Sequence, residues 1–103
     1  MANLSLFWTK TAIKQRNITF KYWNNRNKSN SYSTKLNNSI RERTELLKSN
    51  YSLGKKTTLK NTRAISLGHY SILYRKIDSR IIIMGFWDKR QDPKKLLNFL
   101  KEK

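Results

Sequence analysis

Three arginines stand where this chain could handle a phosphate group. Arg63 opens a short apolar run, Arg75 interrupts a longer one, and Arg90 follows the apolar stretch from Ile81 to Trp87. A guanidinium presents a rigid fork of donors that matches phosphate oxygens, and it can stabilise the charge that builds on a phosphorane. With a tyrosine or histidine as acid or base, such a set could cleave RNA without a metal. Other chemistries lack their parts. The chain has one histidine, His69, and no cysteine, so the usual zinc-ligand sets cannot be assembled. No Ser-His-Asp arrangement can be argued from a single histidine beside a turn. Gly54, Gly68 and Gly85 are too far apart for a phosphate-cradling loop. No metal and no cofactor are expected.

The elements that must position these residues can be read from local pattern. Arg63 to Leu67 reads as a strand, with Gly68 and His69 making a turn. Tyr70 to Ile77 is rich in β-branched and aromatic residues and partly alternates, as a second strand should. Asp78-Ser79 is a two-residue hairpin turn, weaker than Asp-Gly because serine tolerates positive φ poorly. The third strand, Arg80 to Trp87, is apolar on both faces and should be central in the sheet. Arg90 follows this buried strand directly, so its side chain should be held rigidly and point outward. Asp92-Pro93 has the form of an N-cap and first-turn proline, opening a helix from Pro93 to Lys101.

Upstream, Asn3 to Trp8 suits a first strand. Thr9 or Thr11 can cap a helix running to about Arg26, on which Ile13, Phe20 and Trp23 would face the core. The polar stretch from Asn24 to Asn30 is a loop. A second helix from about Ser31 to Ser49 has Tyr32, Leu36, Ile40 and Leu47 at helical spacing. Gly54 ends that element, and Lys55 to Asn61 reads as a basic linker. The order is β-αα-βββ-α. It predicts one α+β domain over 1–103, a helical hairpin packed on a mostly antiparallel four-stranded sheet.

The charge balance points to a polyanionic partner. Lysine and arginine total 23 against 6 acidic residues, a net charge of +17. No acid precedes Glu42, and none lies between Glu45 and Asp78. Such self-repulsion is tolerable when nucleic acid, a ribosome, an acidic protein or an anionic membrane neutralises it. Arg90, Lys89, Lys94, Lys95 and Lys60, with Trp87 as an aromatic anchor, are the candidate target- or nucleic-acid-binding residues. No apolar run is long enough to span a bilayer, and no signal peptide is visible, so the cytoplasm is the simplest expectation.

One stretch carries a family resemblance. Tyr70, Ile72, Leu73 and Tyr74, then Ile77-Asp78, Ile81 to Ile83 and Trp87 form a hydrophobic hairpin. It runs into Arg90-Gln91-Asp92-Pro93-Lys94-Lys95-Leu96. This stretch resembles the C-terminal half of the RelE/ParE superfamily of type II toxin–antitoxin toxins, the ParE-like branch more than the RelE-like one. The resemblance implies the same β-αα-βββ-α order. It also implies an antitoxin, expected to be acidic and partly disordered, with which the toxin would form an oligomer.

The two branches imply different targets. ParE-like toxins inhibit DNA gyrase and need a docking face rather than a catalytic set. RelE-like toxins cleave mRNA on the ribosome, using a basic residue early in the middle strand and a Tyr or His-Tyr near the C-terminus. Here that strand position is Ser71, and residues Asn98 to Lys103 contain neither tyrosine nor histidine. Arg90 matches a functional arginine after the last strand, while Arg75, Arg63 and Lys60 are only steric substitutes. The expectation is a gyrase-directed toxin. A ribosome-dependent endonuclease, a non-toxic basic nucleic-acid-binding protein and a degenerate toxin are the alternatives.

Overall fold

The computed structural model describes residues 4–90. Five strands form one sheet in the order β1-β5-β4-β3-β2, built from β1 (Ser5–Trp8), β2 (Lys55–Lys56), β3 (Arg63–Leu67), β4 (Tyr70–Ile77) and β5 (Arg80–Asp88). Two helices, α1 (Lys10–Asn27) and α2 (Ser31–Ser49), precede a single 3-10 turn at Tyr51–Leu53. β1 pairs with β5 in parallel, and every other pairing is antiparallel. The expected α+β architecture is present. The predicted helix from Pro93 to Lys101 lies outside the described residues.

The sheet has one strand more than the expected four. Lys55 and Lys56, read from the sequence as linker, pair with Ala64 and Arg63 at the sheet edge. A two-residue lysine strand has no hydrophobic alternation to betray it; only its partner on β3 makes it a strand. Lysines there also blunt an edge that would otherwise invite another chain to pair.

Local chemistry explains the helix ends. Thr9 caps α1, its hydroxyl accepting from the Ala12 amide at 3.1 Å, and Lys28 closes the helix in the left-handed region at φ 52°. The core is formed by Ala12 from α1, by Leu36, Ile40 and Leu47 from α2, and by Ile65, Tyr70, Ile72, Tyr74, Ile81, Ile83 and Phe86 from the sheet. Ile13, expected in this core, is 36% exposed, whereas Gln15 is buried. Gln15 occupies the inner face because its side-chain oxygen accepts the Phe86 amide of β5 at 2.9 Å. A buried amide without a partner would be costly, so polarity wins over periodicity at that position. Tyr32, at helical spacing with the core residues of α2, is 39% exposed.

That glutamine sits beside an irregularity in β5. Leu73 pairs with Gly85 but Tyr74 pairs with Ile83, so Met84 is an extra residue, a β-bulge. Side chains on a strand alternate between faces, and the bulge resets the alternation. Ile81 and Ile83 face the helices before it; Phe86 and Asp88 do so after it. Trp87 and Lys89 consequently fall on the opposite face.

Candidate functional site

At the close of β5 the bulge brings Asp88 onto the helix-facing side, opposite Tyr70 at the start of β4. One hydrogen bond beyond the strand, the Lys89 amide donates to the His69 carbonyl at 2.8 Å, which fixes the chain as it leaves the sheet. Arg90 then folds back on Asp88. Its Nε donates to Oδ1 at 3.0 Å, Nη2 donates to Oδ2 at 2.7 Å, and its backbone amide also donates to Oδ1 at 2.9 Å. The pair is partly solvated, with the Asp88 side chain 20% and the Arg90 side chain 54% exposed. The hydrogen bond from Arg90 holds the Asp88 carboxyl below its ordinary pKa, and the same contact raises that of the guanidinium.

Beneath this pair lies an aromatic floor. The Tyr70 ring stacks on Phe86 with centroids 4.9 Å apart, and its hydroxyl accepts from the Trp23 indole N–H at 2.8 Å. Trp23 in turn meets Tyr22 edge-on at 5.1 Å and Tyr32 at 4.8 Å. Burial pushes the Tyr70 hydroxyl above its ordinary pKa, so it stays protonated at neutral pH and is a poor general base. Ile18, Thr19, Tyr22, Trp23, Tyr70, Asp88 and Arg90 line a cleft of about 340 Å³. The opening offers a paired charge above aromatic surface, the make-up of a protein-docking hot spot.

The predicted site residues do not converge. Arg90 is in the cleft. Trp87 and Lys89 are on the far face of the sheet, where Trp87 is 7% exposed and Lys89 Nζ reaches the Ser66 hydroxyl at 3.3 Å. Lys94 and Lys95 lie outside the described residues. Lys60, Arg63 and Arg75 belong to the opposite end of the sheet. Arg63 faces Tyr74 in register, four residues along β4 from Tyr70, so about 13 Å separates the two ends.

At that opposite end the arginines have structural duties. Arg63 Nη1 donates to the Gly54 carbonyl at 2.8 Å, and Arg75 Nε donates to the Thr62 hydroxyl at 3.0 Å. The sequence reading did not single out Asp88, Tyr32 or the Trp23–Tyr70 bond as parts of the site. An acid and an arginine two residues apart, just past a buried strand, was the available clue to the first. Nothing local announces a hydrogen bond spanning 47 residues.

Among the described residues no group of histidine, cysteine and carboxylate side chains could hold a metal ion, and no helix is long and apolar enough to cross a membrane.

Residues 6–93 match the family model of the ParE toxin of the type II toxin–antitoxin system parDE. The chain belongs to the ParE toxin family. Toxins of this family are paired with an antitoxin, so the family brings such a partner with it. In shape the ParE-family chain is similar to a chain of the chromosomal ParDE toxin–antitoxin system from P. aeruginosa. The TM-score is 0.72 at 19% identity, covering 84% of this chain and 96% of the other. At that identity the likeness speaks for the fold. No curated protein matches the sequence.

Proposed function

We propose that this ParE-family toxin arrests bacterial growth by docking on DNA gyrase, so that trapped cleavage complexes damage DNA, and that the Asp88–Arg90 cleft is its docking face. The observation that carries this reading is the closed Asp88–Arg90 pair. A nuclease arginine must meet the phosphorane with its donors uncommitted, and a carboxylate beside it repels the substrate phosphate. A docking face has the opposite need: a rigid, oriented ion pair over aromatic anchors. The gyrase target itself comes from the resemblance to the ParE-like branch, and it puts the toxin at work in the cytoplasm. The antitoxin would be an acidic segment that folds on binding and offsets the +17 charge, giving a toxin–antitoxin oligomer.

The test is pulse-labelling after tightly controlled induction in a bacterial host, with thymidine and methionine incorporation followed over the first minutes. Thymidine uptake should fall first and cells should become filamentous, and Arg90→Ala should remove the effect while the protein stays folded. An early fall in methionine uptake would mean that translation is the target, and the gyrase reading would be wrong.

A further inference from the structure

A second cavity lies away from the Arg90 cleft. It lies at the other end of the sheet, about 460 Å³ in volume, between the 3-10 turn and the segment joining β2 to β3. Four cations line it, Lys56, Lys60, Arg63 and Lys76, and no carboxylate is among its lining residues. Tyr51 forms one wall; it is 44% exposed, and Lys76 Nζ lies 5.1 Å from its ring centroid.

The walls are built rather than loose. The Thr57 amide and hydroxyl both donate to the Thr62 carbonyl at 3.0 Å, the Leu59 amide donates to the Thr57 hydroxyl at 3.1 Å, and the Thr62 amide donates to the Leu59 carbonyl at 3.2 Å. Asn61 sits in the left-handed region at φ 56°, which asparagine tolerates well. Tyr74 fastens the opposite wall. Its hydroxyl donates to the Tyr51 carbonyl at 2.6 Å and accepts from the Gly54 amide at 2.8 Å. Arg63 bonds the Gly54 carbonyl from the other side. Four like charges thus line one opening whose backbone is fixed by hydrogen bonds and whose lining holds no carboxylate, so their mutual repulsion favours a bound anion.

We propose that this cavity binds the sugar-phosphate backbone of single-stranded nucleic acid, with one unpaired base against Tyr51. The three lysines supply the phosphate contacts, Arg63 adds its positive field while it holds the Gly54 carbonyl, the tyrosine ring supplies a stacking surface, and Asn61 lines the opening where a base edge would lie. The volume suits a single nucleotide unit rather than a duplex. An acidic peptide would meet the lysines equally well but has no use for the aromatic wall. This site is independent of the gyrase reading, because its ligand and its residues are different.

The experiment is fluorescence anisotropy of a short labelled oligothymidylate with the purified full chain, across a salt series. Lys56→Ala/Lys60→Ala/Lys76→Ala should weaken binding by about tenfold or more and flatten the log–log salt dependence by about two units. A control that removes three lysines from the outer face of α1, Lys10→Ala/Lys14→Ala/Lys21→Ala, should change it by less than about threefold. Tyr51→Ala should cost about tenfold, with Tyr51→Phe close to the parent. Circular dichroism verifies that each variant is folded. Equal losses from the two lysine triples would overturn the proposal, since binding would then be diffuse attraction to a basic protein. Absence of binding by the parent chain, or indifference to Tyr51→Ala, would overturn it as well. So would a polyglutamate probe that binds as tightly and loses as much in the pocket variants.

Discussion

Asp88 and Arg90 lock together at the end of β5 in a two-pronged contact, Nε to Oδ1 at 3.0 Å and Nη2 to Oδ2 at 2.7 Å. The contact joins residues only two apart, yet it depends on the bulge four residues earlier, where Met84 is the extra residue that turns Asp88 toward the helices.

The pair has a pH signature. Because Arg90 depresses the Asp88 pKa, the folded state favours the carboxylate more than the unfolded state does. The associated stabilisation is complete above the unfolded carboxyl value of about 3.9 and disappears as pH falls through the lower folded value. Asp88→Asn should therefore be slightly less stable than the parent at neutral pH, and the gap should close in strong acid. Denaturant midpoints at both pH values check this, and a gap that widens in acid would contradict it.

Tyr74 ties the 3-10 turn to the sheet with one hydroxyl serving as both donor and acceptor. Removing it in Tyr74→Phe leaves the Gly54 amide and the Tyr51 carbonyl without that partner, at a cost of about 1–3 kcal/mol. Gly54→Ala should be at least as harmful, since an added Cβ would lie 2.8 Å from the Ala64 carbonyl oxygen and 2.7 Å from the Tyr74 hydroxyl. Urea unfolding of the two variants measures both losses.

Gln15 supports the bulge from α1. Replacing it with leucine keeps the apolar volume and deletes the acceptor for the Phe86 amide, so a loss of about 1–3 kcal/mol is expected. Hydrogen exchange at the Phe86 amide should accelerate. Unchanged exchange there would mean that water takes over the bond without cost.

Tyr70 and Tyr74 both have pKa values raised by burial. Above the unfolded tyrosine value of about 10 the unfolded chain loses these protons first, so stability should decline as pH rises through and beyond that point. An ultraviolet titration should show these two phenols ionising later than an ordinary tyrosine. Ionisation of all five tyrosines at the ordinary pH would count against their burial.

Much of the fold was legible because its cues are local. Thr9 as one of two cap candidates, Leu36, Ile40 and Leu47 on the inner face of α2 and the hairpin turn at Asp78-Ser79 were legible from neighbouring residues; Asp78 takes φ 55° in that turn. The inner face of α1 was misread at Ile13 because the partner that draws Gln15 inward lies 71 residues away. Strand β2 escaped for the same kind of reason: its two lysines carry no pattern, and pairing with β3 alone defines them.

By itself the sequence determined the first strand, the helical hairpin and the three-strand run from Arg63 to Asp88, together with the charge excess and the absence of cysteine, since each is a property of residue type or near-neighbour spacing. Tertiary structure decided where the cations went. The bulge at Met84 places Asp88 and Arg90 under α1 and sends Trp87 and Lys89 to the other face, while β3 carries Arg63 toward Lys60 at the far end. Alternation along a strand is readable only up to the first irregularity, and this one is held by contacts to α1 that no local window contains.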